Sequence, residues 1–175
     1  IPSPVTRRLS LIIGGARSGK SAFALKEASA VSGKKAYIAT AEPLDAEIEE
    51  RIKRHRKERG KVWVTYEEPL KTADLLKDIS KEYSVILVDC LTLWLSNVMG
   101  AGLDVETEIK RLISSLVICR PSRVFVVSNE LGMGLVPDNE LSRRFRDAAG
   151  FLNQRVAGIA DEVYLVTAGI PLKIK

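Results

Sequence analysis

Residues 14–21 read Gly14-Gly15-Ala16-Arg17-Ser18-Gly19-Lys20-Ser21, and the run before them, Leu9-Ser10-Leu11-Ile12-Ile13, is apolar and strand-sized. This is the G-x-x-x-x-G-K-[ST] phosphate loop in its expected setting, between a buried strand and a helix. Its glycines let successive backbone N–H groups curl around phosphate oxygens with no Cβ in the way. Lys20 reaches the β- and γ-phosphates and Ser21 is a ligand for Mg2+. The helix-favouring stretch Ser21-Ala22-Phe23-Ala24-Leu25-Lys26-Glu27-Ala28 follows, so a helix starting near Lys20 turns the positive end of its dipole to the anion. Arg17 has two readings, a phosphate contact or a solvated loop charge.

Outward from the loop, strand-like and helix-like segments alternate. Strands are expected at 9–14, 35–40, 62–65, 84–89, 122–128 and 162–167, and helices at 20–31, 44–58, 70–80, 104–118 and 138–160. Val85-Ile86-Leu87-Val88 and Val124-Phe125-Val126-Val127 are continuous apolar runs, as parallel strands buried on both faces require. The alternation predicts one doubly wound α/β domain spanning residues 1–175, with a mainly parallel sheet flanked by helices. Gly100-Ala101-Gly102 and Gly132-Met133-Gly134 read as loops.

The 175 residues, 46% apolar and 28% charged, suit a soluble globular domain. No apolar run is long enough to span a membrane, and no stretch resembles a signal peptide. The net charge of +5 fits an anionic nucleotide as well as a nucleic acid, but aromatics are only 6% and do not interleave with basic residues. Nucleic-acid binding is therefore not expected. Cys90 and Cys119 lack metal-ligand spacing and read as reduced core residues of a cytoplasmic protein.

In parallel sheets the chemistry collects at the carboxyl ends of the strands. Those ends are residues 14–21, Thr40-Ala41-Glu42, Asp89 and Ser128-Asn129-Glu130, all polar or glycine-rich after apolar strands. Val85-Ile86-Leu87-Val88-Asp89 is the Walker B pattern, four apolar residues ending in an acid that holds Mg2+ directly or through water. The competing reading of Asp89 is a cap for the segment that follows it.

His55 is the sole histidine, in Glu49-Glu50-Arg51-Ile52-Lys53-Arg54-His55-Arg56-Lys57-Glu58-Arg59. Arg51, His55 and Arg59 share one helix face at i, i+4 and i+8. One reading is a solvated basic helix. The other is a nucleophile: neighbouring cations disfavour imidazole protonation, a neutral imidazole attacks phosphorus, and the arginines neutralise phosphate oxygens.

Together these segments resemble one family. They are the phosphate loop, Tyr37-Ile38-Ala39-Thr40-Ala41, the Arg51-Ile52-x-x-His55-Arg56-x-x-Arg59 segment with Trp63 and Glu67, and Val88-Asp89-Cys90-Leu91-Thr92. Ser128-Asn129-Glu130-Leu131-Gly132-Met133-Gly134-Leu135-Val136-Pro137 and Gly169-Ile170-Pro171-Leu172-Lys173 complete the set. The chain resembles, over almost its whole length, the bifunctional adenosylcobinamide kinase/adenosylcobinamide-phosphate guanylyltransferases of cobalamin synthesis. The resemblance implies a RecA-like phosphate-loop fold and two reactions. ATP or GTP phosphorylates adenosylcobinamide; GTP then donates GMP to His55, and the cobinamide phosphate accepts it to give adenosylcobinamide-GDP. It also implies nucleotide contacts at Gly14, Gly15, Ala16, Arg17, Ser18, Gly19, Lys20 and Ser21, at Thr40, Ala41 and Glu42, at Arg56, Lys57, Glu58 and Arg59, and at Glu67 and Asp89. Lys20 and His55 would be catalytic, Ser21 and Asp89 would hold Mg2+, and the assembly would be a homotrimer. Departures from the family pattern are Gly60 in place of a common proline, Ala41 in place of a common hydroxyl residue, and Asp89 where some members carry glutamate.

Two rivals share the phosphate loop: a small-metabolite or nucleoside-monophosphate kinase without a covalent step, and a RecA-like ATPase stimulated by nucleic acid. Asn129-Glu130 either lines the site at a strand end or caps the following loop. Arg143, Arg144 and Arg146 read as a solvated or intersubunit face.

Overall fold

The computed structural model describes residues 8–42, 49, 50, 53, 56, 57, 60–119 and 122–175. Seven strands form one sheet: β1 (Leu9–Gly14), β2 (Lys35–Ala39), β3 (Trp63–Glu67), β4 (Val85–Asp89), β5 (Arg123–Asn129), β6 (Glu162–Thr167) and β7 (Ile170–Lys173). Their spatial order is β3-β2-β4-β5-β1-β6-β7. All neighbours are parallel except β6 and β7, which pair antiparallel. The helices are α1 (Lys20–Ala30), α2 (Thr72–Ile79), α3 (Leu91–Gly100), α4 (Val105–Ile118) and α5 (Glu140–Ile159).

The expected parallel α/β architecture is therefore present, with strand bounds close to those read from the apolar runs. Side-chain alternation divides the core in two. Ile12, Tyr37, Ala39, Trp63, Val85, Leu87, Phe125 and Val127 pack on one face, where α1 supplies Ala24 and Ala28. Leu11, Ile38, Ile86, Val88, Val124 and Val126 pack on the other, against α2, α3, α4 and α5.

The helices differ in how they start. Asp104 caps α4 by accepting from Thr107 N at 2.9 Å, and Asn139 caps α5 by accepting from Ser142 N at 2.7 Å. α1, α2 and α3 have no side-chain cap, and α1 starts on Gly19, so its N-terminus opens on the phosphate loop.

Two elements escape the sequence reading. α3 is apolar on nearly every side and follows β4 directly, so it lacks the polar stripe that marks an amphipathic helix. Tertiary contacts define it: Trp94 Nε1 donates to Leu70 O at 3.0 Å, and Asn97 Nδ2 donates to Thr40 O at 2.8 Å and Pro69 O at 3.1 Å. β7 is four exposed residues including Pro171, and proline is tolerated because this is an edge strand. The β6–β7 turn is Ala168-Gly169, with φ of 52° and 79°. Positive φ at both central positions is the two-residue hairpin geometry that matches strand twist. Of the helix expected at 44–58, Glu49, Glu50, Lys53, Arg56 and Lys57 are described and helical.

Candidate active site

The sheet register places one row of residues across the carboxyl edge: Glu67, Ala39, Asp89, Val127 and Ile12, from β3 through β2, β4 and β5 to β1. Ala39, Val127 and Ile12 belong to the core cluster on the α1 side. Asp89, two residues beyond Leu87 on β4, points to that same face, as does Glu67. The two acidic residues and the phosphate loop thus share one side of one edge.

The loop is built by close approaches that only glycine permits. A Cβ on Gly14 would lie 2.4 Å from Val166 O and 2.6 Å from Ser18 Oγ. Gly19 has φ of 91°, and a Cβ there would lie 3.1 Å from Gly169 Cα. Gly169 N donates to Ser18 O at 2.8 Å. The turn of the β6–β7 hairpin is therefore bonded to the phosphate loop, a contact that the Gly169-Ile170-Pro171 segment did not reveal as sequence. Lys20 is buried, and its Nζ donates to Gly15 O at 3.0 Å. The Ser18 hydroxyl is buried and has no hydrogen-bond partner among the described residues; a buried polar atom of this kind is one that a ligand oxygen can satisfy. Arg17 is exposed, in left-handed conformation with φ of 55°.

At the end of β4, Tyr37 Oη donates to Asp89 Oδ2 at 2.8 Å and holds the carboxylate in place. The Tyr37 ring is backed edge-on by Trp63, with centroids 6.1 Å apart. Burial first, and then the Asp89 charge, push the Cys90 thiol up to about 11, while the nearby Lys20 charge pulls the other way. Burial likewise raises Cys119 to about 11. Both cysteines are buried free thiols, as expected, and neither is a thiolate nucleophile near neutral pH.

Thr40 is fully buried, and its role is to join strands. Its Oγ1 donates to Cys90 O at 2.7 Å and accepts from Cys90 N at 2.8 Å. Thr40 N donates to Asp89 O at 3.2 Å. The hydroxyl fixes the β2 and β4 ends together, at the edge where Thr40 is expected to meet the nucleotide. Ala41 and Glu42 follow it, half-buried.

Arg56 Nη2 donates to Glu67 Oε1 at 2.7 Å between exposed side chains. This contact places the Arg56 guanidinium at the β3 end of the site. Lys57 is exposed. His55, Arg51, Glu58 and Arg59 lie outside the described residues. Further along the chain, Arg143 Nη1 donates to Pro137 O and Asp138 O, and Arg146 pairs with Asp147 at 3.1 Å. These two arginines serve the loop and helix on which they sit.

For Mg2+, the donor set is hard oxygen: the Ser21 hydroxyl at the helix start and the Asp89 carboxylate on the same face. A cation that keeps waters and shares substrate phosphates needs no larger protein cage. Among the described residues no cluster of three His, Cys, Asp or Glu forms a metal site.

Residues 10–174 match the cobinamide kinase / cobinamide phosphate guanyltransferase family. The chain belongs to that family. It is 43% identical over 172 residues to the bifunctional adenosylcobalamin biosynthesis protein CobP of Pseudomonas aeruginosa, covering 94% of this chain and 96% of that one. It is 41% identical to the corresponding CobU protein of Salmonella typhimurium, covering 94% and 98%, and 38% identical to that of Escherichia coli, covering 94% and 98%. In structure it is similar to a prototypical ATPase from the type III secretion system of pathogenic bacteria. The TM-score is 0.54 at 12% identity, over 96% of this chain and 57% of that chain. The last likeness is one of fold alone, and it bears out the phosphate-loop architecture. Among the described residues no helix is long and apolar enough to cross a membrane.

Proposed function

We propose that this chain acts as one nucleotide-binding domain that carries out two transfers in cobalamin biosynthesis, each on a different phosphorus of a bound nucleoside triphosphate. In the first, the hydroxyl of adenosylcobinamide attacks the γ-phosphorus of ATP or GTP; the bond to the β–γ bridging oxygen breaks and the hydroxyl proton is lost. In the second, a nitrogen of neutral His55 attacks the α-phosphorus of GTP and pyrophosphate leaves. The phosphate of adenosylcobinamide phosphate then attacks that phosphorus, the P–N bond breaks, and adenosylcobinamide-GDP is released. The histidine step makes guanylylation a two-stage displacement with ping-pong kinetics.

The phosphate loop, Lys20 and the uncapped α1 N-terminus hold the triphosphate tail. Ser21 and Asp89 would hold Mg2+, which neutralises phosphate charge when bound. Arg17, Ala41, Glu42, Lys57, Glu58 and Glu67 line the nucleotide; Thr40 acts by position. Arg56 and Arg59 stabilise charge at the α-phosphorus and on the leaving pyrophosphate. The observation that carries this reading is the Arg56–Glu67 contact, 2.7 Å long, on the same sheet edge and face as Asp89. It supports the reading by setting Arg56, the residue after His55 in the chain, against an acid at the β3 end of that edge. The working protein is a cytoplasmic homotrimer with no nucleic-acid partner.

Incubation with α-labelled GTP tests the reading. Label retained on denatured protein, lost in acid and stable in alkali, marks a phosphoramidate. His55→Ala removes that label and keeps most of the γ-phosphate transfer to adenosylcobinamide. Absence of label on the unsubstituted protein leaves a kinase without a covalent step, and hydrolysis that rises on adding nucleic acid supports the ATPase reading.

A further inference from the structure

The helices on the face away from α1 reach past the strand ends. Asn153 Nδ2 donates to Asn129 O at 3.0 Å, which marks the level at which α5 passes the carboxyl end of β5. α5 enters from beyond that edge and runs back to the amino end, where β6 starts. At a rise of about 1.5 Å per residue, Ser142 lies about 16 Å along the helix before Asn153. α3 reaches the same end of the sheet. It starts two residues after Asp89, and Asn97 Nδ2 donates to Thr40 O, just past β2.

Between these two helices and the chain that leads into α4 lies a groove of about 610 Å³. Met99, Leu103, Leu141 and Phe145 give it apolar walls, and Ser142 and Arg144 add polar groups. Leu103 and Leu141 are exposed in it, at 44% and 67%. The chain that leads into α5 is capped where Glu130 Oε1 accepts from Gly132 N at 2.7 Å, and it presents Met133, Leu135 and Val136 to solvent. Of the three arginines at the start of α5, Arg143 donates to Pro137 O and Asp138 O, and Arg146 pairs with Asp147. Arg144 makes no hydrogen bond or ion pair to another described residue.

A mostly apolar cavity with a few polar groups has the make-up of a small-molecule site, and such sites span about 300–1,000 Å³. Ten residues line this one, fewer than the about 20–30 a side that a stable protein interface engages. The substrate in the family's description, cobinamide, is a flat macrocycle with apolar faces and an amide fringe. The faces suit the apolar walls, and the amide carbonyls can accept from Ser142 and Arg144.

We propose that this groove holds the corrinoid macrocycle, with the arm that carries its hydroxyl, or the phosphate placed on it, pointing across the strand ends to the nucleotide. The proposal rests on the two-transfer reading above and gives its acceptor a place. Because the macrocycle sits away from the reacting phosphorus, one bound corrinoid serves both transfers and only the arm moves. Groove residues then set corrinoid affinity and leave the rate at saturation to the nucleotide site.

The test compares Leu141→Glu and Arg144→Ala with the unsubstituted protein. Phe151→Glu, exposed on the same helix and outside the groove, is the control. Cobinamide binding is followed by its absorbance, with and without GDP, and γ-phosphate transfer is measured against adenosylcobinamide concentration. Thermal melts report folding and light scattering reports the assembly. For Leu141→Glu we expect cobinamide affinity at least about 10-fold weaker, because a carboxylate replaces an apolar contact. For Arg144→Ala the loss is about 5–10-fold, the worth of one hydrogen bond. In both, KM for adenosylcobinamide rises by the same factor while kcat stays within about 3-fold, because contacts made equally before and during transfer act on KM. Phe151→Glu leaves cobinamide affinity unchanged. Unchanged affinity in both folded groove variants, or no cobinamide binding by the unsubstituted protein under either condition, would overturn the proposal. A smaller assembly for the groove variants alone would also overturn it, by making the groove a contact between copies. Cobinamide binding is read without any transfer. An inactive unsubstituted protein that still binds cobinamide through Leu141 and Arg144 therefore counts against the two-transfer reading and not against the groove.

Discussion

The two ends of the sheet handle polar groups in opposite ways. At the amino end, charges satisfy one another. Glu162 is buried, accepts from Ser10 Oγ at 2.9 Å, and pairs with Arg123 at 2.9 Å and Lys173 at 2.8 Å, with Arg8 at 3.4 Å. Burial raises its carboxyl pKa, but Lys173, Ser10 and Arg123 outweigh that and hold it at about 2. At the carboxyl end, beside the Tyr37–Asp89 and Arg56–Glu67 side-chain pairs, a set of side chains bonds main chain: Thr40 to Cys90, Asn97 to Thr40 and Pro69, and Thr92 and Asn153 to Asn129. One end is closed upon itself and adds stability. The other has a backbone made rigid so that Lys20 and Asp89 present their chemistry at one edge.

The strongest break of that contrast is Lys20→Ala. Both transfers fall about 10²–10³-fold, because the triphosphate loses a fixed cation, while the melting temperature moves by a few degrees. A large loss of stability with little loss of rate would place Lys20 with the structural end instead.

Next in size is Glu162→Gln, which acts only at the closed end. The folded pKa, lowered from 4.5 to about 2, means that this group adds stability above pH 4.5 and loses it as pH falls toward 2. The full contribution is about 3 kcal/mol. Urea unfolding from pH 7 to pH 2.5 should show the variant weaker by up to that amount at neutral pH, converging with the parent in acid. GTP affinity per folded molecule changes less than about twofold. A selective loss of GTP affinity would show that the two ends are coupled, through the β6–β7 hairpin whose turn bonds Ser18.

The smallest effect separates the two roles of a threonine. Thr40→Val removes both bonds to Cys90 and leaves buried main-chain groups unpaired, a cost of about 2 kcal/mol, and Thr40→Ser restores it. Unchanged unfolding free energy with loss of nucleotide affinity would make Thr40 a ligand contact instead of a strand joint.

Much of this contrast is legible in the residues. Continuous β-branched runs announce buried parallel strands, and glycines followed by Gly19-Lys20-Ser21 announce the anion site, because both signals are local. Asp89 is visible as an acid at a strand end, whereas Glu67 enters only through the family resemblance, because the strand read at 62–65 in fact runs Trp63–Glu67. Their common face is not visible, because it depends on register between β3, β2 and β4. α3 and β7 were missed for related reasons: one is apolar all round, the other short, exposed and proline-bearing. His55 stood out as the sole histidine among arginines, whereas Arg144 was one of three arginines until the fold gave the other two partners on their own loop and helix.

The sequence alone determined the phosphate loop, the alternating architecture and the family, since each is written in short-range spacing and in residue types whose chemistry leaves few alternatives. Only the tertiary structure decided the division of labour. It assigned Thr40 to joining strands, Glu130 to capping a loop and Gly169 to bracing Ser18, because which buried donor meets which acceptor is settled by strand order and register, not by distance along the chain.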